Sequence, residues 1–512
     1  MPQWLDSAIF YEIYPQSFRD TNSDGIGDFN GIIEKLDYIK DLGCTAIWLN
    51  PCFFSPFYDA GYDVADYYTV APRYGTNEDL VRLFDEVHKR NMHIILDLVP
   101  GHTSVEHKWF LESMKPEKNE FSDRYIWTNS VWEAPQQMQW LRGISSRDGS
   151  VALNFFSTQP ALNFGFYQAD EPWMQPMDAE GPRATVEALK DIMRFWLTAG
   201  CDGFRVDMAG SLVKNDDANG TGIIKLWQEF RAFLDQEFPE AAMISEWGEP
   251  NKSLAGGFHM DFLLHFGPSH YNDLFRCEEP YFSSRGKGDI SEFIKNYMLN
   301  YEATARKGLI CIPSGNHDMD RLARSLSQEE MKIAFAFLLA VPGAPFIYYG
   351  DEIGMRYVED LVSVEGGYGR TGSRSPMQWS KGVNAGFSSA PSDQLYIPLD
   401  PVANRPDVES QQQQEASLYH TVKQLIAFRM EHKALQSNGE IEFITQSGYP
   451  LVFTRTCEDE AILVIINPSA EKAEVEMEIT WKSVLKTIGG TVSKVENKVV
   501  IDGGTAAFLL LK

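Results

Sequence analysis

Three acidic residues follow short apolar runs of the chain. Asp207 ends Gly203-Phe204-Arg205-Val206-Asp207, Glu246 ends Met243-Ile244-Ser245-Glu246, and Asp318 stands beside His317, just beyond Leu309-Ile310-Cys311-Ile312. Glycoside hydrolysis needs this inventory. One carboxylate attacks or stabilises an oxocarbenium-like carbon and a second, kept protonated, hands its proton to the leaving oxygen, the two standing about 5–5.5 Å apart when configuration is retained. Arg205 lies two residues before Asp207 and so points the same way on a strand. A cation there favours an ionised Asp207, whereas Trp247 beside Glu246 is expected to raise the Glu246 pKa by desolvation. Any one of these acids is as readily a solvated loop charge; for the set that reading is poor.

The elements that must position them recur as helix followed by strand. Ile32, Leu36 and Ile39 lie at helical spacing ahead of Gly43, and the strand-like Thr45-Ala46-Ile47-Trp48-Leu49 follows. Leu80, Leu83 and Val87 precede His93-Ile94-Ile95-Leu96-Asp97, and Val186, Leu189, Ile192 and Met193 precede the run to Asp207. Ile224, Trp227 and Phe230 lead to Glu246, and Met331, Phe335, Leu338 and Leu339 lead to Pro345-Phe346-Ile347-Tyr348-Tyr349. With Met260 to Leu264 and Leu309 to Ile312 this makes about eight strands. Such alternation means a parallel sheet, doubly wound or closed. Asp97, Asp207, Glu246 and Asp318 all sit at or beyond C-terminal strand ends, which a barrel gathers at one mouth, and no GxGxxG follows a strand.

From His102 to about Gln168 the pattern breaks into a Trp-, Ser- and Asn-rich stretch too long for an ordinary loop. After helical spacing at Leu418, Val422, Leu425 and Ile426, the last seventy-odd residues alternate apolar and polar, as in Leu451-Val452-Phe453-Thr454. The expected architecture is α/β: a (β/α)8 TIM barrel over 1–102 and 169–436, a small inserted domain over 103–168 after the third strand, and a C-terminal antiparallel β-sandwich domain over 437–512.

The charge sum, 45 basic against 72 acidic side chains, is −27, which repels nucleic acid and anionic membranes. No run of eighteen apolar residues and no signal-peptide pattern is visible, so cytoplasmic residence is the expectation. Six scattered cysteines without metal spacing read as reduced thiols.

Asp97 to His102 (DLVPGH), Gly203 to Asp207 (GFRVD), SEW around Glu246 and Asn316 to Asp318 (NHD) occur in the order of the four conserved stretches of glycoside hydrolase family 13, the α-amylase family, and the chain resembles that family over essentially its whole length. The resemblance implies Asp207 as nucleophile, Glu246 as general acid/base and Asp318 as the residue that grips sugar hydroxyls. Asp97, His102, Arg205 and His317 would line the same subsite. FYEIYPQSF, DTNSDGIGDFNGI, PGAPFIYYGDEIGM and SPMQWSKGVNAGFS are similar to the oligo-1,6-glucosidase and α-glucosidase branch. In that branch Tyr62 matches the aromatic under the terminal glucose. Asp59 matches an acid that pairs with an arginine beyond the last barrel strand, for which Arg405 is the candidate, and Phe156 would add a second wall.

The loop Asp20-Thr21-Asn22-Ser23-Asp24-Gly25-Ile26-Gly27-Asp28 has oxygen donors at alternate positions and glycine at the sixth, the spacing of a Ca²⁺ loop. Gly31 replaces the glutamate an EF-hand needs, but the loop matches the calcium loop of this branch, implying Asp20, Asn22, Asp24, Asp28 and the Ile26 carbonyl as ligands of a structural metal. Three positions depart from the pattern. Gly101 stands where Asn usually precedes His102, Met208 follows the nucleophile in place of Val or Ala, and 161–181 is long, with Trp173 as either a subsite or packing.

The expectation is a retaining, exo-acting α-glucosidase on short α-1,4- or α-1,6-linked oligosaccharides, a monomer or small homo-oligomer with no nucleic-acid or membrane partner. Its rivals are a transglucosylase or isomerase on the same site and an endo-acting amylase. A catalytically silent transporter partner needs an anchor and tends to lose the carboxylates that this chain keeps.

Overall fold

The computed structural model describes residues 1–304 and 307–512. Eight parallel strands form its centre: β1 (Phe10–Ile13), β2 (Ala46–Leu49), β3 (His93–Leu98), β4 (Gly203–Val206), β5 (Ala242–Ser245), β6 (Met260–Phe262), β7 (Leu309–Cys311) and β8 (Phe346–Tyr348). They neighbour one another in sequence order, with Phe10 of β1 also in register with Phe346 of β8. A parallel bridge between Pro313 and Phe346 closes the ring. Every residue of β1, β2, β4 and β5 is buried, as a sheet covered on both faces requires.

The covering helices follow from local signals. Helix α1 (Phe29–Leu42) buries Ile32, Leu36, Ile39 and Leu42 and stops at Gly43, whose φ of 106° is open to glycine. Helix α2 (Asn77–Lys89) starts at a reciprocal Thr76/Asp79 capping box. Inside the barrel the register sets Glu12 beside Trp48 and Asp97 beside Arg205, so the interior turns polar towards the mouth.

The segment after β3 forms a separate small unit. A hairpin of Gln139–Arg142 with Ser150–Leu153 covers a core of Ile126, Ala152, Ala161, Phe166 and Trp173. Trp173 meets Trp140 and Phe166 edge to face at 5.3 and 5.4 Å. It is therefore packing, and the unit's core reaches beyond Gln168.

At the C-terminus a five-stranded antiparallel sheet (Glu440–Phe443, Leu451–Cys457, Glu460–Asn467, Thr505–Leu511 and Trp481–Ile488, in spatial order) faces a three-stranded one. Val452, Leu463, Ile465 and Leu509 pack against Val499 and Ile501 of the smaller sheet, while the alternate residues Phe453, Val464 and Phe508 join the barrel core. Buried Arg455 ties the two domains, donating to the carbonyls of Ala340, Leu435, Gln436 and Gly439. No helix among the described residues is long and apolar enough to cross a membrane.

Candidate active site

Arg205 is the centre of the barrel mouth. Its Nη1 lies 2.8 Å from Asp97 Oδ1 and 3.1 Å from Asp207 Oδ1, and its Nη2 lies 2.8 Å from Glu246 Oε1. One guanidinium thus brings the ends of β3, β4 and β5 together. Burial, and next the Glu246 carboxylate, push Asp207 well above the usual carboxylate range against the pull of Arg205. This corrects the expectation that Arg205 keeps Asp207 ionised in the ligand-free pocket, because a single positive charge is divided among three carboxylates. Asp207 and Glu246 hang from the same guanidinium. The Met208 backbone, held in the left-handed region at φ 44°, donates to Glu246 Oε2 at 3.2 Å.

Asp318 sits across the mouth. Burial alone would raise it, but His317, Arg370 and Arg374 hold it well below the usual range, with Arg370 Nη1 at 2.7 Å, Arg374 Nη2 at 3.0 Å and His317 Nε2 at 3.2 Å. His317 is fully buried between Asp318 and Glu12, whose Oε1 is 2.9 Å from Nδ1. Tyr62 stacks on the His317 ring at 5.2 Å, and its hydroxyl meets His317 Nε2 at 2.7 Å and Asp97 Oδ2 at 2.9 Å. The turn that aims Tyr62 runs through Ala60 and Gly61, both at positive φ.

Asp207, Glu246, Asp318, Tyr62 and Arg370 line one cavity of about 790 Å³, together with Asp59, His102 and Phe156, while Asp97, Arg205 and His317, expected at the same wall, are buried behind it in contact with these residues. Phe155, half exposed, Tyr368, Phe266 and Trp247 form an aromatic rim. The Asp59 carboxylate accepts from Gln159 at 2.8 Å and faces Arg370 Nη2 at 3.4 Å. Arg405, the partner expected from sequence, is elsewhere: its Nη1 donates to the Asp400 carbonyl at 3.0 Å. Arg370 takes that place because a 3-10 turn, Tyr368–Ser373, in the long segment that follows β8 carries it back over the mouth.

In the loop after β1, Asp20, Asn22, Asp24 and Asp28 form consecutive turns. Asp20 accepts from the Asn22, Ser23 and Gly25 amides and from Ser388 Oγ. Asp28 accepts from Thr21 and caps α1 through the Gly31 amide at 2.7 Å. Asn22 and Asp24 are exposed, and Asp24 accepts from the Ile26 amide. Among the described residues no three His, Cys, Asp or Glu side chains converge as a metal cluster. The loop closes on its own hydrogen bonds, and a hard cation meeting its all-oxygen donor set would add to that closure.

Sequence reasoning missed Glu12, Gln159, Arg370 and Arg374. Arg370 and Arg374, four apart in one turn after the last strand, were the readable signal; Glu12 hides in an apolar strand.

The buried His317 yields a prediction. Burial pulls its pKa down, but Asp318 and Glu12 more than offset this and push it up to about 9, above the value of about 6.5 for a free histidine. A raised folded-state pKa means a stabilising contribution that is complete below about pH 6.5 and lost as pH rises through about 9. The Tm should fall across that window more steeply in the wild type than in His317→Asn; parallel curves would refute the assignment.

Comparison with known proteins agrees with this geometry. The family model of the alpha amylase catalytic domain matches residues 12–438. The chain is 30% identical to the oligo-1,6-glucosidase of Parageobacillus thermoglucosidasius, over 92% of its own length and 91% of that protein's. It is 32% identical to alpha-amylase 3 of Dictyoglomus thermophilum (97% and 92% covered) and 31% identical to the trehalose synthase/amylase TreS of Mycobacterium tuberculosis (93% and 84% covered). Among solved structures, the alpha-glucosyl transfer enzyme XgtA superposes with a TM-score of 0.82 at 26% identity, with both chains covered in full. The trehalulose synthase MutB from Pseudomonas mesoacidophila MX-45, at 24% identity and a TM-score of 0.82, shares the fold over the full length of both chains. A match of this extent, on a barrel whose mouth gathers Asp207, Glu246 and Asp318, makes the chain a member of glycoside hydrolase family 13, the α-amylase family.

Proposed function

We propose that the enzyme is a retaining, exo-acting α-glucosidase that hydrolyses short α-1,4- or α-1,6-linked glucosides by double displacement. One observation carries the reading. Arg370 bridges Asp59 and Asp318, and the Gly366 backbone packs so tightly on Tyr58 and Asp59 that a Cβ there would lie 2.5 Å from the Tyr58 carbonyl. In this reading these contacts close the cavity behind Tyr62 and leave room for a terminal glucose alone. The oligo-1,6-glucosidase relative supports the same class.

In this reading Glu246 protonates the glycosidic oxygen while an Asp207 oxygen attacks the anomeric carbon. The bond to the leaving alcohol breaks and a glucosyl ester on Asp207 forms. Glu246, now a carboxylate, takes a proton from water, whose oxygen displaces Asp207 and releases glucose with retained configuration. Burial raises Asp207, and Arg205, 3.1 Å away, favours the ionised form in which it attacks. Asp318 accepts hydrogen bonds from ring hydroxyls as a fixed anion.

The aromatic rim favours one alternative. Phe155, Tyr368, Phe266 and Trp247 offer ring faces on which an acceptor sugar can displace water, the chemistry of a transglucosylase or isomerase, and a trehalose synthase/amylase stands among the relatives. Six unpaired cysteines, four of them buried, support a reducing compartment such as the cytoplasm.

We also propose that Asp20, Asn22, Asp24, Asp28 and the Ile26 carbonyl hold a structural Ca²⁺. No catalytic carboxylate belongs to that loop, so the ion would stabilise and take no part in the chemistry.

Four measurements test these readings. Products should be followed in time on maltose, isomaltose, trehalose, sucrose and soluble starch. Glucose from one or two disaccharides with starch untouched is the expected result; new disaccharides without matching glucose would transfer the assignment to the transglucosylase, and mixed oligomers from starch to an endo-amylase. Glu246→Gln should lower kcat about 10²–10⁴-fold. Arg370→Ala should lower kcat/KM on disaccharides by about 10²-fold without reducing activity on longer chains, and equal losses on both would remove the blind-end argument. After dialysis against chelator, Ca²⁺ should bind at about one equivalent and raise Tm by a few degrees, with both effects lost in Asp24→Ala. Less than about a tenth of an equivalent and an unchanged Tm would remove calcium.

A further inference from the structure

Gly101 departs from the family pattern, and the structure puts another side chain in the space it vacates. A Cβ at Gly101 would lie 2.6 Å from Nδ2 of Asn154, a residue of the inserted unit 53 positions later. Gly101 has no positive φ, so that space, and not backbone freedom, is what the glycine supplies. Asn154 Nδ2 is 3.1 Å from His102 Nδ1, and Asn154 Oδ1 is 3.1 Å from Lys214 Nζ. Lys214 also donates to the Ser211 carbonyl. His102 Nε2 faces the Tyr62 carbonyl at 2.9 Å.

The chemistry of these partners leaves one assignment. An ammonium only donates, so Asn154 turns its oxygen to Lys214 and its NH₂ to His102. A carbonyl only accepts, so His102 carries its proton on Nε2, and its Nδ1 lone pair accepts from Asn154. Burial, with Lys214's charge adding to it, lowers the His102 pKa to about 4, which keeps the ring neutral and the tautomer single. Ser211 Oγ, buried at the cavity wall with no hydrogen-bond partner, lies 3.3 Å from the same Cβ position.

We infer that Asn154 and Lys214 are positioning residues for His102, that Gly101 is the space they need, and that the three act as one unit fixing the His102 ring and tautomer at the wall of the glucose pocket. The inference rests on the α-glucoside reading for its effect on turnover, but not for the tautomer. The unit also couples the inserted domain to the barrel, since Asn154 belongs to the first and both its partners to the second.

The test is a cycle on the full-length enzyme with the shortest glucoside that the wild type turns over. Asn154→Ala should cost about tenfold in kcat/KM, and Gly101→Asn about as much through its clash with Asn154. The double variant, whose amide now reaches from position 101, should return to within about threefold of wild type. Additive losses, or an Asn154→Ala enzyme within twofold of wild type, overturn the inference. Asn154→Asp cannot donate to Nδ1, so His102 must take a second proton; kcat/KM should gain an ionisation between about pH 5 and 8, and an unchanged profile counts against the unit. Lys214→Met provides a second route should Asn154→Ala fail to fold: a loss of at least about threefold is expected, and an unchanged kcat/KM removes Lys214. Ring ¹⁵N shifts of His102 read the tautomer with no substrate. Absence of any α-glucoside turnover by the wild type would therefore fail the functional reading alone, while an Nδ1–H ring in the wild type would fail this inference alone.

Discussion

A single buried guanidinium, Arg205, holds the active end of this barrel together. It is 1% exposed and shared among Asp97, Asp207 and Glu246, with the Trp48 ring 5.0 Å from its carbon. Removing water from four charged groups is costly, and one cation does not neutralise three carboxylates. Burial, and next the neighbouring Glu246 carboxylate, therefore raise Asp207 despite the guanidinium. Lysine could not substitute, because a point charge lacks the fork that lets one terminal nitrogen serve β3 and β4 while the other serves β5.

A second cluster balances the first. Asp318 is surrounded by positive charge from His317, Arg370 and Arg374, so it remains an anion while Asp207 is driven towards protonation. Two carboxylates in one cavity thus receive opposite treatment from their surroundings, one held as an anion and the other pushed towards protonation. Tyr62 joins the clusters, since its hydroxyl touches both His317 and Asp97.

Much of this was legible in the amino-acid order. The strand-end acids and the helix-then-strand rhythm identify the barrel because parallel strands buried on both faces are mostly apolar and gather their acids near their C-terminal ends. Arg370 was harder than Arg405 to choose, since the segment after β8 is built of 3-10 turns without periodicity and a contact to Asp59 spans 311 positions. Glu12 was invisible because a lone charge inside an apolar strand carries no pattern of its own. The exchange of Gly101 for Asn154 was unreadable for another reason: a missing side chain shows locally, but its replacement arrives from a different domain. Trp173 looked equally like a subsite and like packing until the edge-on contacts with Trp140 and Phe166 decided it.

Arg455 gives the domain boundary a different meaning from the one its sequence pattern conveys. The carbonyls it gathers come from Ala340, at the end of a barrel helix, and from Leu435, Gln436 and Gly439, where the chain passes into the sandwich. Phe453, Val464 and Phe508 close over the same side of the barrel. A chain cut at 436 would leave open acceptors and a bare apolar face, so the C-terminal sheets serve the barrel as its outer wall. A module in that place must present an apolar face to the barrel and hydrogen-bond donors to those carbonyls.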